Sequence, residues 1–388
     1  MNDLGKHYYT VGDKIFTDKI EAIVYANQTL ADVEWHFNND LYRTVDWTVE
    51  PELSMDQLYK IRAQQIRDDY DYVIIMFSGG ADSVNIVNTF LNNGIKIDEI
   101  VASAPLSGLR DWNDSDKDIS VENVISETKF VQLPYMNEFA SRDPSIKLTL
   151  NDYFEDILTY KTDEWIYKSG EWIHPTAASR YSLEKFKHLR DLADSGKKIG
   201  IVYGVDKPSL IKNKDELYVS VSDLAVNVPR QPFNRAYINV ENVLFYWSAN
   251  LPMLLVKQAH EVAKFMYRQE NKTTLQYLSD RENPLPFERA RMRQSNWERC
   301  IIPCIYPTTV KPVFQGHKSI RMFFAGHDQW FYDLHHKTDA YQLMDSDFRN
   351  FIKTINSKYL NSSKTAFFMY IKMFKIGSVS DFKKEILL

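Results

Sequence analysis

The residues with the most specific chemistry are Ser78-Gly79-Gly80-Ala81-Asp82-Ser83, which follow the apolar run Tyr72 to Phe77 and lead into a helical pattern beginning at Ser83. A β-prone run, a tight turn with adjacent glycines and a helix opened by a hydroxyl residue together build a nest of backbone N–H groups at a helix N-terminus. Such a nest takes an anion, and the natural one is phosphate. The glycines let the backbone approach a ligand with no Cβ in the way. Ser78 and Ser83 add hydroxyl donors, and Asp82 can orient the loop or reach a metal ion. The competing nucleotide motifs are absent: no G-x-x-x-x-G-K-[ST] occurs, and the 13 glycines never spell G-x-G-x-x-G.

A second constellation is Gly204-Val205-Asp206-Lys207-Pro208, directly after the apolar run Ile199 to Tyr203. In open α/β sheets ligands lie beyond the carboxyl ends of the strands, near the point where strand order reverses. If the two strands are neighbours, this loop stands beside Ser78–Ser83. Gly204 then joins the binding loop, Lys207 neutralises phosphate charge and Asp206 shares a metal with Asp82. The alternative is a solvated turn whose charge pair is stiffened by Pro208.

The elements that must position these loops follow from periodicity. Ser54 and Gln57 form a capping box for a helix with Leu58, Ile61 and Ile66 as its buried stripe. From Tyr72 the order is strand, loop, helix (Ser83 to Asn93, with Val84, Val87 and Leu91 on one face) and a second strand, Glu99 to Ala102. That is a βαβ unit and implies a parallel sheet. A helix around Val121 to Phe139, a strand Ile146 to Leu150, a helix Ser182 to Ser195 stopped by Gly196 and the strand Ile199 to Tyr203 continue the alternation. A short strand, Leu217 to Val221, is expected to close the sheet. The fold class is therefore α/β, a twisted parallel sheet of Rossmann-like type.

The pattern S-G-G-x-D-S in this setting resembles the pyrophosphate-binding PP-loop of the N-type ATP pyrophosphatases, over roughly residues 70 to 225. That resemblance implies the HUP/PP-loop topology, with ATP and Mg2+ as cofactors. Relatives with this loop cleave ATP between the α and β phosphates, pass AMP to a substrate oxygen and release pyrophosphate. Carried over, Ser78, Gly79, Gly80, Ala81 and Ser83 would hold the pyrophosphate and Asp82 would place the magnesium. The strand end Ala102-Ser103-Ala104 would receive adenine through its backbone. The whole-chain arrangement is also similar to the asparagine-synthetase-like PP-loop proteins of large phage genomes. A glutaminase of the N-terminal-nucleophile type needs Cys at position 2, where this sequence has Asn2. Ammonia, if used, would be free or supplied by a partner.

The implied activity is an AMP-forming, pyrophosphate-releasing ligase or transferase acting on a small-molecule or nucleobase acceptor. The alternatives are a sulfur-chemistry relative, similar to phosphoadenylylsulfate reductase or to tRNA-thiolating enzymes, and a non-catalytic nucleotide-binding module. Sulfur transfer would need a reactive thiol, and Cys300 and Cys304 are the only cysteines. Their spacing is not C-x-x-C, and apolar packing explains them best.

At 388 residues the chain has room for about two domains, each with its own core. Residues 1–53 read as an N-terminal cap, 54–225 as the ATP-binding domain and 226–388 as a mainly helical substrate or partner domain. In the last, Pro229, Pro232 and Pro252 punctuate a linker. Pro252 opens a helix with Leu255, Ala259, Val262 and Met266 buried, and further helices are expected at Phe287 to Arg299 and Ala340 to Asn356. His317, His327, His335 and His336 gather near Asp328 and Asp333 without a zinc-type spacing. Arg289, Arg291, Arg293 and Arg299 fit a solvated, ion-paired helix better than a nucleic-acid surface. A net charge of −5 gives no global attraction to nucleic acid, which disfavours RNA substrates. Two cysteines exclude a disulfide framework, and no apolar run approaches the roughly 20 residues that span a bilayer. The expected setting is cytoplasmic, with no membrane partner.

Overall fold

The computed structural model describes residues 7–104, 106–107, 128–153, 166, 183–205, 207–223, 236–268, 300–306, 339–361, 364 and 367–384. Its centre is a five-stranded, all-parallel sheet of β4 (Tyr72–Phe77), β5 (Glu99–Ala104), β6 (Lys147–Asp152), β7 (Ile199–Tyr203) and β10 (Val240–Leu244). The spatial order is β10-β7-β4-β5-β6. Counted along the chain this is 3-2-1-4-5, so the order reverses between β4 and β7, which pair in parallel from Tyr72↔Ile199 to Ile75↔Val202. β4, β5 and β7 are buried almost throughout, as strands covered on both faces must be.

The expected closing strand does not join this sheet. Leu217 to Val221 lies in β9 (Glu216–Ser222), which pairs antiparallel with β8 (Ser209–Asn213) and β11 (Ile371–Ser378) in a separate sheet. β10 takes the fifth place, from a stretch beyond residue 225 that reads as linker in sequence. Glu241 and Asn242 break its apolar run, which hides a strand whose Val240, Val243 and Leu244 are buried. The Tyr70 hydroxyl, donating to Glu241 Oε2 at 2.7 Å, satisfies one of these polar residues.

Helix α3 (Met55–Asp69) carries the capping box Ser54/Gln57, and it buries Met55, Leu58, Tyr59, Arg62, Ala63 and Ile66. Ile61 falls off that 3.6-residue stripe and is 37% exposed, which corrects its expected place in the core. Arg62 occupies the stripe instead. Its guanidinium donates to the Leu244 and Phe245 carbonyls at 2.9 and 3.2 Å, at the carboxyl end of β10. Helix α4 (Ala81–Asn92) starts two residues before the expected Ser83, with Gly80 as N-cap. Helix α5 (Leu133–Arg142) follows a π-helical turn, Thr128–Gln132, and α6 (Lys187–Asp194) ends before Gly196 at φ +80°.

Residues ahead of α3 form the antiparallel sheet β2-β1-β3 (Lys14–Phe16, His7–Val11, Val33–Phe37) with helix α1 (Lys19–Thr29), capped by Asp18, and the single turn α2 (Asn39–Tyr42). This layer is locked to the β8-β9-β11 sheet. Lys19 and Asp223 form a buried ion pair at 2.6 Å, Tyr9 donates to the same carboxylate, and Trp47 stacks on Phe374 at 4.3 Å. Helix α7 (Pro252–Arg268) buries Leu255, Ala259, Val262 and Met266 as expected and packs on α3. Helix α8 (Asp339–Thr354) and a terminal helix α9 (Val379–Lys384) complete the described C-terminal elements. Among the described residues, no helix is long and apolar enough to cross a membrane.

Candidate functional site

The Ser78–Ser83 loop leaves the carboxyl end of β4 at the reversal point of the sheet. Gly79 sits at φ +76°, a conformation that strains any residue with a Cβ. A Cβ there would also lie 2.9 Å from Gln132 Cγ. Gln132, from the π-helical turn, is itself buried and donates from Nε2 to the Ser78 carbonyl at 3.0 Å. The loop closes on itself: Gly80 N–H donates to Ser78 Oγ at 3.2 Å, and Ser83 Oγ donates to the Gly80 carbonyl at 3.0 Å. Ser78 N–H donates to Ser83 Oγ at 3.3 Å. The two serines therefore shape the turn before they meet any ligand.

Gly80 offers no side chain to cap α4. The early start of this helix puts Ala81, Asp82 and Ser83 in its first turn, where N–H groups have no intrahelical acceptor and the positive end of the helix dipole lies. A glycine cradle before an uncapped N-terminus suits an anion.

The second loop arrives where the sequence expects it. Gly204 lies so close to α4 that a Cβ would stand 3.2 Å from both the Asp82 carbonyl carbon and Ser83 N, which gives this glycine a packing reason. Three residues on, Lys207 Nζ meets Asp82 at 2.7 Å (Oδ2) and 3.1 Å (Oδ1). Asp82, Lys207 and Gly204 are thus brought together with Ser78, Gly79, Gly80, Ala81 and Ser83. Asp206 lies outside the described residues. Ala102 is buried beside Phe77 in the β4–β5 register, and Ser103 Oγ accepts from Asn151 Nδ2 at 3.2 Å, so both stand at the same end of the sheet, one strand over.

Three tyrosines missed in the sequence surround Asp82. Tyr306 donates to Asp82 Oδ1 at 2.6 Å and Tyr246 to the Asp82 carbonyl at 2.8 Å. Tyr59 packs against both rings, at 6.1 Å from Tyr246 and 6.3 Å from Tyr306. Burial, followed by the charge of Asp82, pushes the Tyr246 and Tyr306 hydroxyls well above the ordinary tyrosine range, so both remain donors. Each tyrosine comes from a different part of the chain. No spacing rule links them, although an aromatic share of 14% favours large packed layers.

Cys300 and Cys304 lie on the helical segment 300–305 and are not in a disulfide, with Cys304 Sγ directed at the Cys300 carbonyl. Burial raises the Cys300 thiol, the opposite of what a sulfur nucleophile needs. The His317 to His336 and Arg289 to Arg299 groups lie outside the described residues. Among the described residues, no three His, Cys, Asp or Glu side chains gather as a metal site. No protein-family model matches the chain, and no curated protein matches it significantly.

Proposed function

We propose that the protein is an ATP-dependent, AMP-forming ligase or transferase that adenylates an acceptor and releases pyrophosphate, built on a PP-loop domain of HUP type. The observation that carries this reading is the meeting, at the reversal point of a parallel sheet, of a glycine cradle, an uncapped helix N-terminus and the Asp82–Lys207 pair. The loop fits phosphate because Gly80 leaves the first-turn N–H groups of α4 without a capping side chain.

In this reading Ser78, Gly79, Gly80, Ala81 and Ser83 present N–H and hydroxyl donors to the departing pyrophosphate. Lys207 stands close enough to Asp82 to neutralise phosphate charge beside it. Asp82, with Asp206, would hold the magnesium, which supplies positive charge where the leaving group develops its own. The strand end at Ala102 and Ser103 would receive adenine through its backbone, with Gly204 beside the loop. In this reading the mainly helical residues beyond β10 receive a small-molecule or nucleobase acceptor.

Incubation with α-labelled ATP and magnesium across pools of carboxylates, bases and tRNA tests the reading. AMP and pyrophosphate in equal amounts, abolished by Asp82→Asn, support it. ATP binding with no turnover in any pool would instead make the protein a nucleotide-binding module.

A further inference from the structure

Asp82 is gripped by a residue 224 positions further along the chain. Tyr306 directly follows the helical segment 300–305, is fully buried, and donates to Asp82 Oδ1 at 2.6 Å. Lys207 makes its shorter contact with the other oxygen, Oδ2, at 2.7 Å. Contacts on both oxygens fix the plane of the carboxylate as well as its position, which one contact would leave free to turn.

Tyr306 is fixed in its turn. The Tyr59 hydroxyl, from α3, donates to the carbonyl of the preceding residue, Ile305, at 2.5 Å and accepts from Gln258 Nε2 of α7 at 2.9 Å. The Tyr246 ring lies 5.4 Å from that of Tyr306. Tyr246 accepts from Asn85 Nδ2 at 3.1 Å, one turn along α4 from the Asp82 carbonyl it holds. The elements α3, α4, α7, the end of β10 and the segment 300–306 thus converge on one carboxylate.

We propose that Tyr306 is a positioning residue that sets the Asp82 carboxylate for the magnesium–nucleotide complex. The segment 300–306 then serves the ATP half of the reaction, not only the acceptor half. The proposal rests on the pyrophosphate-site reading of the Ser78–Ser83 loop. A tyrosine that only fills the core would give up stability when its hydroxyl is lost. A positioning tyrosine gives up affinity for the metal-bound nucleotide in particular.

The test is calorimetric titration of the full chain with α,β-methylene-ATP, with and without magnesium, on wild type, Tyr306→Phe, Asp82→Asn and the double variant. Partners that orient a ligand-holding group are typically worth about 10- to 100-fold. Tyr306→Phe is therefore expected to bind the analogue about 10-fold more weakly with magnesium and like wild type without it. Adding the change to Asp82→Asn should cost nothing further. Tyr359→Phe removes another buried hydroxyl, bonded to the Ala26 and Ala31 carbonyls, and should leave binding unchanged in both conditions. Equal losses with and without magnesium, or wild-type affinity in Tyr306→Phe while Asp82→Asn is impaired, would overturn the positioning role and leave the pyrophosphate-site reading standing. Wild-type affinity in Asp82→Asn would bring down both. Should Tyr306→Phe not fold, Tyr59→Phe removes the bonds to Ile305 and Gln258 and leaves the Tyr306 hydroxyl in place. A smaller magnesium-dependent loss there supports the role, and no change overturns it.

Discussion

The two ends of the parallel sheet each hold hydrogen-bonded carboxylates, and they treat them differently. At the amino end Glu99 is fully buried and its oxygens are taken by neighbours on the sheet and one helix. Tyr72 donates at 2.8 Å, His188 Nε2 lies 2.9 Å away and Thr149 adds a short hydrogen bond. Next to it Asp98 meets Arg67 at 2.5 Å, Lys96 at 2.6 Å and the Val73 N–H at 2.8 Å. These acceptors are taken up by side chains and an N–H group of the surrounding protein. At the carboxyl end Asp82 is partly exposed and shares a lysine with a loop that crosses the strand reversal, beside a helix start with no capping side chain. A charge enclosed by fixed donors serves cohesion, whereas a charge beside helix N–H groups with no capping side chain is the one the proposed phosphate site would use.

The comparison can be broken at either end. The largest effect is expected from Asp82→Asn, which should lower AMP and pyrophosphate formation by roughly 100- to 1,000-fold, as loss of one preorganised electrostatic group does, with a melting temperature close to wild type. At the other end Glu99→Ala should cost about 1–3 kcal/mol in denaturant titration, since it strands the Thr149 hydroxyl in the core and removes the acceptor of the half-buried Tyr72. Turnover per folded molecule should not change. A Glu99 variant that loses turnover but not stability would erase the distinction.

Gly204→Ala should be milder. Its Cβ would press on α4 at 3.2 Å, so overpacking of about 1–2 kcal/mol is expected, together with weaker ATP binding in a filter or calorimetric assay. Binding that survives at full strength would show that the two loops need not touch.

The smallest effect concerns pH. Burial alone would raise the Asp98 carboxyl, but Lys96, Arg67 and the Val73 N–H outweigh it and hold the group below its ordinary value of 3.8. A depressed folded value stabilises the protein above 3.8 and loses that contribution as pH falls through the folded value. Wild type should therefore lose stability below about pH 4 more steeply than Asp98→Asn, as measured by urea midpoints across pH.

Much of the site was legible in the sequence because its constraints are local. Two adjacent glycines before Asp82 and Ser83 demand a turn with positive φ, and Gly79 has one. The apolar strands around the loops are continuous enough to be read, and the Ser54/Gln57 box fixes where α3 begins. Lys207 was reached through topology, since a loop after a central strand must stand at the reversal point if the strands are adjacent. β10 was not legible, because Glu241 and Asn242 interrupt its apolar run, and neither was Arg62, whose charge disguised a core position. Leu217 to Val221 was recognised as a strand but placed in the wrong sheet. A strand's own pattern says that one or two faces are covered and nothing about which partner covers them.

By itself, then, the sequence determined the pieces whose physics is near-neighbour: the glycine turn, the helix caps and the apolar strands that carry the two loops. Only the tertiary structure decided which strands lie side by side, that β10 and not β9 completes the sheet, and that Tyr246 and Tyr306 close on Asp82. Those facts depend on contacts between residues 164 and 224 positions apart, for which no local spacing carries a signal. The physical reason is that a hydrogen bond or a packed ring is indifferent to the length of chain between its partners, while periodicity records only the neighbours a residue meets along its own element.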